Sequence, residues 1–246
     1  MAMGRPRLWP AVCAGAMFLC GGAWGASLPA ELAGLAPGCR ADVIVRFRGA
    51  AVASVLRAVE ERGAAIAGAF PLLGAAALSV DAADLPRLAA VPELLYIAPD
   101  RPIRAVKAFR PAEREWAALL AVASSHPLSS EPAGVALIGP VSERAGDRPG
   151  SPIRLIPLPV LDAAGAGRES AALAAMETTL RTREVRRIRI LALAFAPAAA
   201  ASGGDPLADA VRQAFSAGIL VVEAGRPETD SGCSFAPRPL YRIVRY

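Results

Sequence analysis

The apolar positions of this chain fall into two rhythms, and the change between them divides the sequence. From residue 42 to residue 103, short apolar runs are separated by stretches with helical spacing. "DVIVRF" (42–47) predicts a strand. In "AAVASVLRAVEERG" (50–63), Val52, Val55, Leu56 and Val59 recur at i, i+3, i+4 and i+7, one face of a helix that Gly63 stops. "AIAGAF" (65–70) and "AAALSV" (75–80) predict two strands around the turn "PLLG". Asp81 stands where it caps a second helix carrying Leu85 and Leu88, and "LLYIAPD" (94–100) closes as a strand.

The resulting order, βαββαβ over 42–103, predicts a ferredoxin-like module with two helices on one face of an antiparallel sheet. Residues 104–133 read as a linker, with one helix over "PAEREWAALLAVASS" and then a loop, "HPLSSEP". From 134 to 246 the rhythm changes to strand, helix, strand, helix. "GVALI" (134–138), "IRLIPLPVL" (153–161), "RIRILALAF" (187–195) and "ILVVEA" (219–224) are near-continuous apolar runs, as strands buried on both faces should be. "ESAALAAMETTL" places Leu173, Met176 and Leu180 on one helical face. "DPLADAVRQAFSAG" is a bounded helix: Asp205 caps, Pro206 takes the first turn, Leu207, Val211 and Phe215 line one side, and Gly218 stops it. "LYRIVRY" predicts a final strand. Such alternation means a parallel sheet flanked by helices, so the fold class is α/β.

Composition adds a compartment. Residues 1–25 read as an export signal: Arg5 and Arg7 precede "LWPAVCAGAMFLCGGAWGA", with Ala23 and Gly25 at the small-residue positions before the cut. The mature chain is then expected to be secreted or periplasmic and to lack a membrane span. Cys13 and Cys20 leave with the signal, and Cys39 and Cys233 remain as either one disulfide or two unpaired residues. Net charge is +5, carried almost wholly by Arg, and only 5% of residues are aromatic, a balance that does not suggest nucleic acid. With His126 as the one histidine and no CxxC pair, no metal or cofactor is expected. "GAGRES" (165–170) lacks the GKS/T ending of a phosphate loop and reads as a turn, with Glu169 favouring a helix N-terminus. The arginines of "LRTREVRRIRI" (180–190) read as a solvated helix end and strand entry.

The ordered series resembles subtilisin-like serine peptidases preceded by their propeptide-type inhibitor domain. "VIVRF" and "AALSVDAADLPRLAAVPELLYIAPD" are similar to the inhibitor domain. "GVALI" is similar to the strand delivering the catalytic Asp, and "IRLIPLPVLDAAGAGRESAALAAME" to the next strand, loop and helix. "RILALAF" matches the strand bordering the substrate cleft, and "DPLADAVRQAFSAGILVVEAG" the helix and strand before the oxyanion Asn. The family's chemistry needs Ser, His, Asp and oxyanion donors. On the resemblance, Gly139 stands at the Asp position and Arg226 at the oxyanion Asn position. Ala194 and Ala196 replace the cleft strand's Ser-x-Gly. "GPVSERAGDRPGSP" leaves no room for the His-bearing helix, and the segment bearing the Ser nucleophile has no counterpart before Tyr246. A relocated site would draw on His126, Asp147 or Asp230, and Ser124, Ser151 or Ser231, or on Lys107 with a serine; no spacing supports either set.

The resemblance therefore implies a secreted pseudopeptidase acting by binding a protein or peptide, with the first module packed on the second through the face of its own sheet. The alternatives are an inhibitor or folding chaperone of a separate subtilisin-like peptidase, which requires "RPIRAVKAF" to enter the partner's cleft as an extended strand, a decayed gene product, and a serine-type endopeptidase with an unrecognised site.

Overall fold

The fold is taken from a computed structural model, which describes residues 26–49, 52–106, 132–140, 153–198, 204–224 and 241–243. After a short helix, α1 (Ala30–Ala33), the first half runs β1 (Arg40–Phe47), α2 (Val52–Glu60), β2 (Ala65–Phe70), β3 (Ala75–Asp81), a 3-10 turn (Ala82–Asp84), α3 (Leu85–Ala89) and β4 (Leu94–Pro99). The four strands form one sheet in the order β2-β3-β1-β4, every pair antiparallel. β1 is buried on both faces, because alternate side chains serve two cores. Val43, Val45 and Phe47 pack with Val55 and Val59 of α2 and with Leu85 and Leu88 of α3. Ile44 points the other way, into the core shared with the second half, as do Ala75 and Ala77.

Asp81, expected to cap the second helix, is instead the N-cap of the 3-10 turn leading into it, and the N-cap of α3 itself, Asp84, makes no side-chain capping bond. Asp81 Oδ1 accepts from Ala83 N at 2.9 Å and from Gly38 N at 3.3 Å. Replacing Asp81 with alanine removes both bonds, and we expect a loss of about 1 kcal/mol in urea unfolding, the usual effect of deleting a cap. α2 runs into Gly63, whose φ of 86° suits glycine and few other residues.

The second half contains β5 (Pro102–Ala105), β6 (Ala133–Gly139), β7 (Ile153–Pro159), β8 (Ala166–Arg168), α4 (Glu169–Thr182), β9 (Ile188–Leu193), β10 (Phe195–Pro197), α5 (Pro206–Ser216), β11 (Leu220–Ala224) and β12 (Tyr241–Ile243). The main sheet has the order β12-β11-β9-β6-β7. β7, β6, β9 and β11 are parallel, whereas β12 pairs antiparallel with β11. The apolar faces of α4 (Leu173, Met176, Leu180) and α5 (Leu207, Ala210, Val211, Ala214) meet Ile138, Leu191, Leu193 and Val221 in one core. Phe215 departs from the expected α5 face and is 40% exposed. At eight residues from Leu207 it has rotated to the margin of the stripe, and the small Ala210 and Ala214 fill the contact instead.

β7 is the edge of the main sheet, and its sequence suits an edge. Val160 N donates to Gly139 O, so alternate residues from 158 backwards aim their N–H groups at β6. Residues 157 and 159 then face outward, and both are proline, with no N–H to offer. Among the described residues, no helix is long and apolar enough to cross a membrane.

Candidate functional site

Parallel strands place their C-terminal ends on one edge of a sheet, where ligands of open α/β folds gather. Gly139 ends β6 there, Ala194 follows β9, and Ala224 ends β11. Gly139 and Ala194 are brought together: Ala194 N donates to Ile138 O at 2.8 Å, and a Cβ added to Gly139 would lie 2.7 Å from Ala194 Cβ. Arg226 comes two residues after the last described residue of β11 and lies outside the described residues. His126, Lys107, Asp147, Asp230, Ser124, Ser151 and Ser231 also lie outside them. Cys39 is exposed and free; Cys233 is outside the described residues. No group of three or more His, Cys, Asp or Glu suited to a metal ion occurs among the described residues.

Beside this edge is a small second sheet, β10-β5-β8, with the chain's own residues 102–105 as its middle strand. Phe195, Ala196 and Pro197 pair with Ala105, Arg104 and Ile103, while Pro102, Ile103 and Arg104 pair on the other side with Arg168, Gly167 and Ala166. The ladder extends through Ala105 N to Gly165 O (2.8 Å), Val106 N to Ala194 O (3.2 Å) and Ala198 N to Pro102 O (3.0 Å). Side chains alternate as the pleat requires: Arg101 and Ile103 are buried, Pro102 and Arg104 exposed. Ile103 reaches the same core as Leu161 and Leu173. Ala196 keeps the extended backbone that a paired strand needs, so its methyl group does not prevent pairing. β5 also carries strand structure two residues past the predicted end of the first module, into the segment read as linker.

The strand is held at its start by the N-terminus of α4. Asp100 Oδ1 accepts from Ser170 N at 2.9 Å and Asp100 Oδ2 from Ser170 Oγ at 2.7 Å, so a carboxylate from the first half caps a helix of the second. That helix end is therefore occupied, which removes the phosphate-loop alternative for "GAGRES". Arg101 continues the anchor: its carbonyl accepts from Glu169 N at 2.9 Å, and its Nη2 lies 3.0 Å from Glu169 Oε1 and 3.7 Å from Asp205 Oδ1. Glu169 is fully buried, and its Oε2 has no hydrogen-bond partner among the described residues. Burial pushes its carboxyl up to about 7; Arg101 opposes the rise, and Asp205 and Asp100 add to it.

Two further anchors join the halves. Glu177 of α4, 4% exposed, accepts from Leu72 N and Leu73 N in the β2–β3 turn, each at 3.2 Å. Asp209 of α5 accepts from Tyr96 Oη, pairs with Arg46 at 3.4 Å and also with Arg212. Burial and the bond to Asp209 both hold the Tyr96 phenol protonated, with a pKa far above its ordinary value.

Sequence reasoning missed β8, the Asp100–Ser170 cap, and both Glu177 and Asp209. Each depends on a partner more than 60 residues distant, and no local spacing marks it. The arginines near 181–189 match the solvated reading in part: Arg181 pairs with Glu177 and Arg183 with Glu184, and Arg186 is exposed.

No protein-family model matches this chain, and no curated protein matches it. Solved structures do. Fervidolysin from Fervidobacterium pennivorans, a keratinolytic enzyme related to subtilisin, superposes with a TM-score of 0.50 at 12% identity, over 80% of this chain and 42% of its own. A serine-to-alanine mutant of the epidermin leader peptide processing serine protease of Staphylococcus aureus gives 0.50 at 10% identity, over 75% of this chain and 60% of its own. This chain thus spans between 42% and 60% of the lengths of those two. At such identities the likeness shows the fold alone: this chain has a subtilisin-like α/β fold.

Proposed function

We propose that this chain is a secreted, catalytically inert subtilisin-like pseudopeptidase that works by holding an extended peptide backbone between β8 and β10. Residues 1–25 act as the export signal. Residues 42–103 are a ferredoxin-like module of the propeptide-inhibitor type, and 134–246 a partial subtilisin-like domain. The antiparallel order β2-β3-β1-β4 and the docking of β5 support this division.

The observation that carries the inert reading is the contact between Gly139 and Ala194. A catalytic aspartate must project a carboxylate from this strand end to orient an imidazole. Glycine has none, and the space for even one carbon is taken by the buried Ala194, 2.7 Å from where that carbon would sit. The binding half of the reading is supported by the pairing of the chain's own residues 102–105 along both edges.

The test is chemical. Secreted protein incubated with a fluorophosphonate probe should show no labelled serine, and a panel of quenched peptides should stay intact. Cleavage that disappears when one serine is replaced would overturn the proposal.

A further inference from the structure

Arg101 and Glu169 form a buried ion pair, Nη2 to Oε1 at 3.0 Å. Arg101 is 7% exposed and Glu169 wholly buried, and the pair sits where the chain enters the β8–β10 cleft. Asp100 caps α4 through both of its carboxylate oxygens, and the Arg101 carbonyl accepts from Glu169 N. Glu169 takes no part in that cap; its contact is with Arg101. We propose that the Arg101–Glu169 pair is a pH-responsive latch on the chain's own strand β5, closed while Glu169 is protonated and loosened when it ionises, so that the β8 and β10 edges open to a peptide from elsewhere. This rests on the reading of the β8–β10 cleft as a peptide-holding site and names its regulation.

The charges around Glu169 decide the direction. From the β4–β5 connection come Arg101, in contact, and Asp100. From α4 and its entry come Ser170, uncharged, and Arg168, whose guanidinium turns outward to Asp100 and Asp42. From the start of α5 comes Asp205, which shares Arg101 at 3.7 Å while capping Ala208 N. An ionised Glu169 thus has one cation divided between it and Asp205, a further carboxylate (Asp100) nearby, and an Oε2 with no hydrogen-bond partner among the described residues. Burying a charge under those conditions is unfavourable, and its neutral form fits better.

When β5 leaves, both the side chain and the carbonyl of Arg101 leave with it, and Glu169 meets water. Its carboxyl then ionises in the ordinary range near 4.5 rather than at about 7. Docking therefore takes up a proton. It is tightest below the free value, weakens as pH rises through about 7, and is level above that. Between about pH 5 and about pH 8 the docking equilibrium should fall on the order of 50-fold.

Hydrogen exchange on the full-length protein reads this directly, once corrected for the intrinsic rate at each pH. Protection of the Ala105 and Val106 amides should drop on the order of 50-fold from about pH 5 to about pH 8, while the β9 amides hold theirs. Glu169→Gln should stay protected at both values. Arg101→Met, which leaves the carboxylate alone, should match the wild type in acid and lose more protection in base. Wild-type protection that does not change with pH, or a Glu169→Gln chain that keeps the drop, overturns the latch. A fluorescent peptide of residues 100–106 added at about pH 8 separates the two readings. Opening without peptide binding leaves the latch and removes the peptide-holding site; peptide binding with no pH-dependent opening does the reverse.

Discussion

Replacing Glu177 with alanine should lower the stability of this chain by about 3 kcal/mol in urea unfolding. The carboxylate lies 4% exposed on α4 and receives two backbone N–H groups from the turn between β2 and β3, those of Leu72 and Leu73. Leu73 is itself 2% exposed, so truncation leaves a buried donor with nothing to replace its acceptor. Hydrogen bonds to charged acceptors contribute about 1.5–3 kcal/mol each, and an orphaned buried donor about 1–3 kcal/mol, so the pair reaches the stated loss even after some relaxation. The neighbouring ion pair to Arg181, whose side chain is 65% exposed, adds little. Glu177→Gln retains one acceptor oxygen and the volume, and should recover about half of the loss. Faster exchange of the Leu72 and Leu73 amides would accompany the alanine change. A loss below about 1 kcal/mol would mean that the turn holds itself without α4.

That contact marks the boundary of what the sequence makes legible. α5 could be read almost to the residue, because its determinants are local: the Asp205 cap, Pro206 in the first turn, a stripe at helical spacing and Gly218 after it. β6 and β9, inner strands of the main sheet, were legible as apolar runs, since burial on both faces leaves little polar alternation to confuse them, whereas the edge strand β7 is only partly buried despite its apolar run. Phe215 was misassigned because the sequence pattern has no way to favour two alanines over a phenylalanine at the edge of a stripe. The direction of β12 was not legible either, since antiparallel and parallel partners ask for the same apolar residues. β8 consists of Ala166, Gly167 and Arg168, a sequence with no strand character of its own; it is a strand only because Pro102–Ala105 lies alongside. Glu169 looks like an ordinary surface acid at a helix start, and its burial is decided by Arg101, 68 residues earlier. At the candidate site, the resemblance gives Gly139 and Ala194 as replacements at family positions, and a Cβ added to Gly139 would lie 2.7 Å from Ala194 Cβ, while Arg226 lies outside the described residues. Beyond Ala194, β10 pairs with β5, a strand of the chain itself, and that pairing is set by long-range packing rather than local spacing.

The second large effect is expected at Gly167, and the reason is space. Its backbone does not adopt the left-handed conformation that favours glycine, so an alanine there pays no conformational penalty. Its added Cβ, however, would fall 2.3 Å from Val160 O, 2.9 Å from Leu161 Cδ2 and 3.3 Å from Ile103 Cγ1. The first of these is a backbone oxygen and cannot rotate away, so β8 must withdraw from residues 160–161 or from β5. Either movement breaks the ladder in which Gly167 faces Ile103. Gly167→Ala should therefore destabilise the chain by about 3 kcal/mol, the upper range for overpacking. Gly38→Ala makes the contrast: φ is 85° there and nothing lies within 4 Å, so only backbone strain of about 1 kcal/mol applies. The two variants also differ in where the damage shows. Gly167→Ala should free the Ala105 and Val106 amides to exchange at every pH, because the strand loses its partner rather than its latch. Gly38→Ala should leave them protected. If Gly167→Ala unfolds within about 1 kcal/mol of the wild type, β8 does not press on β5 as described, and the cleft is looser than its hydrogen bonds indicate.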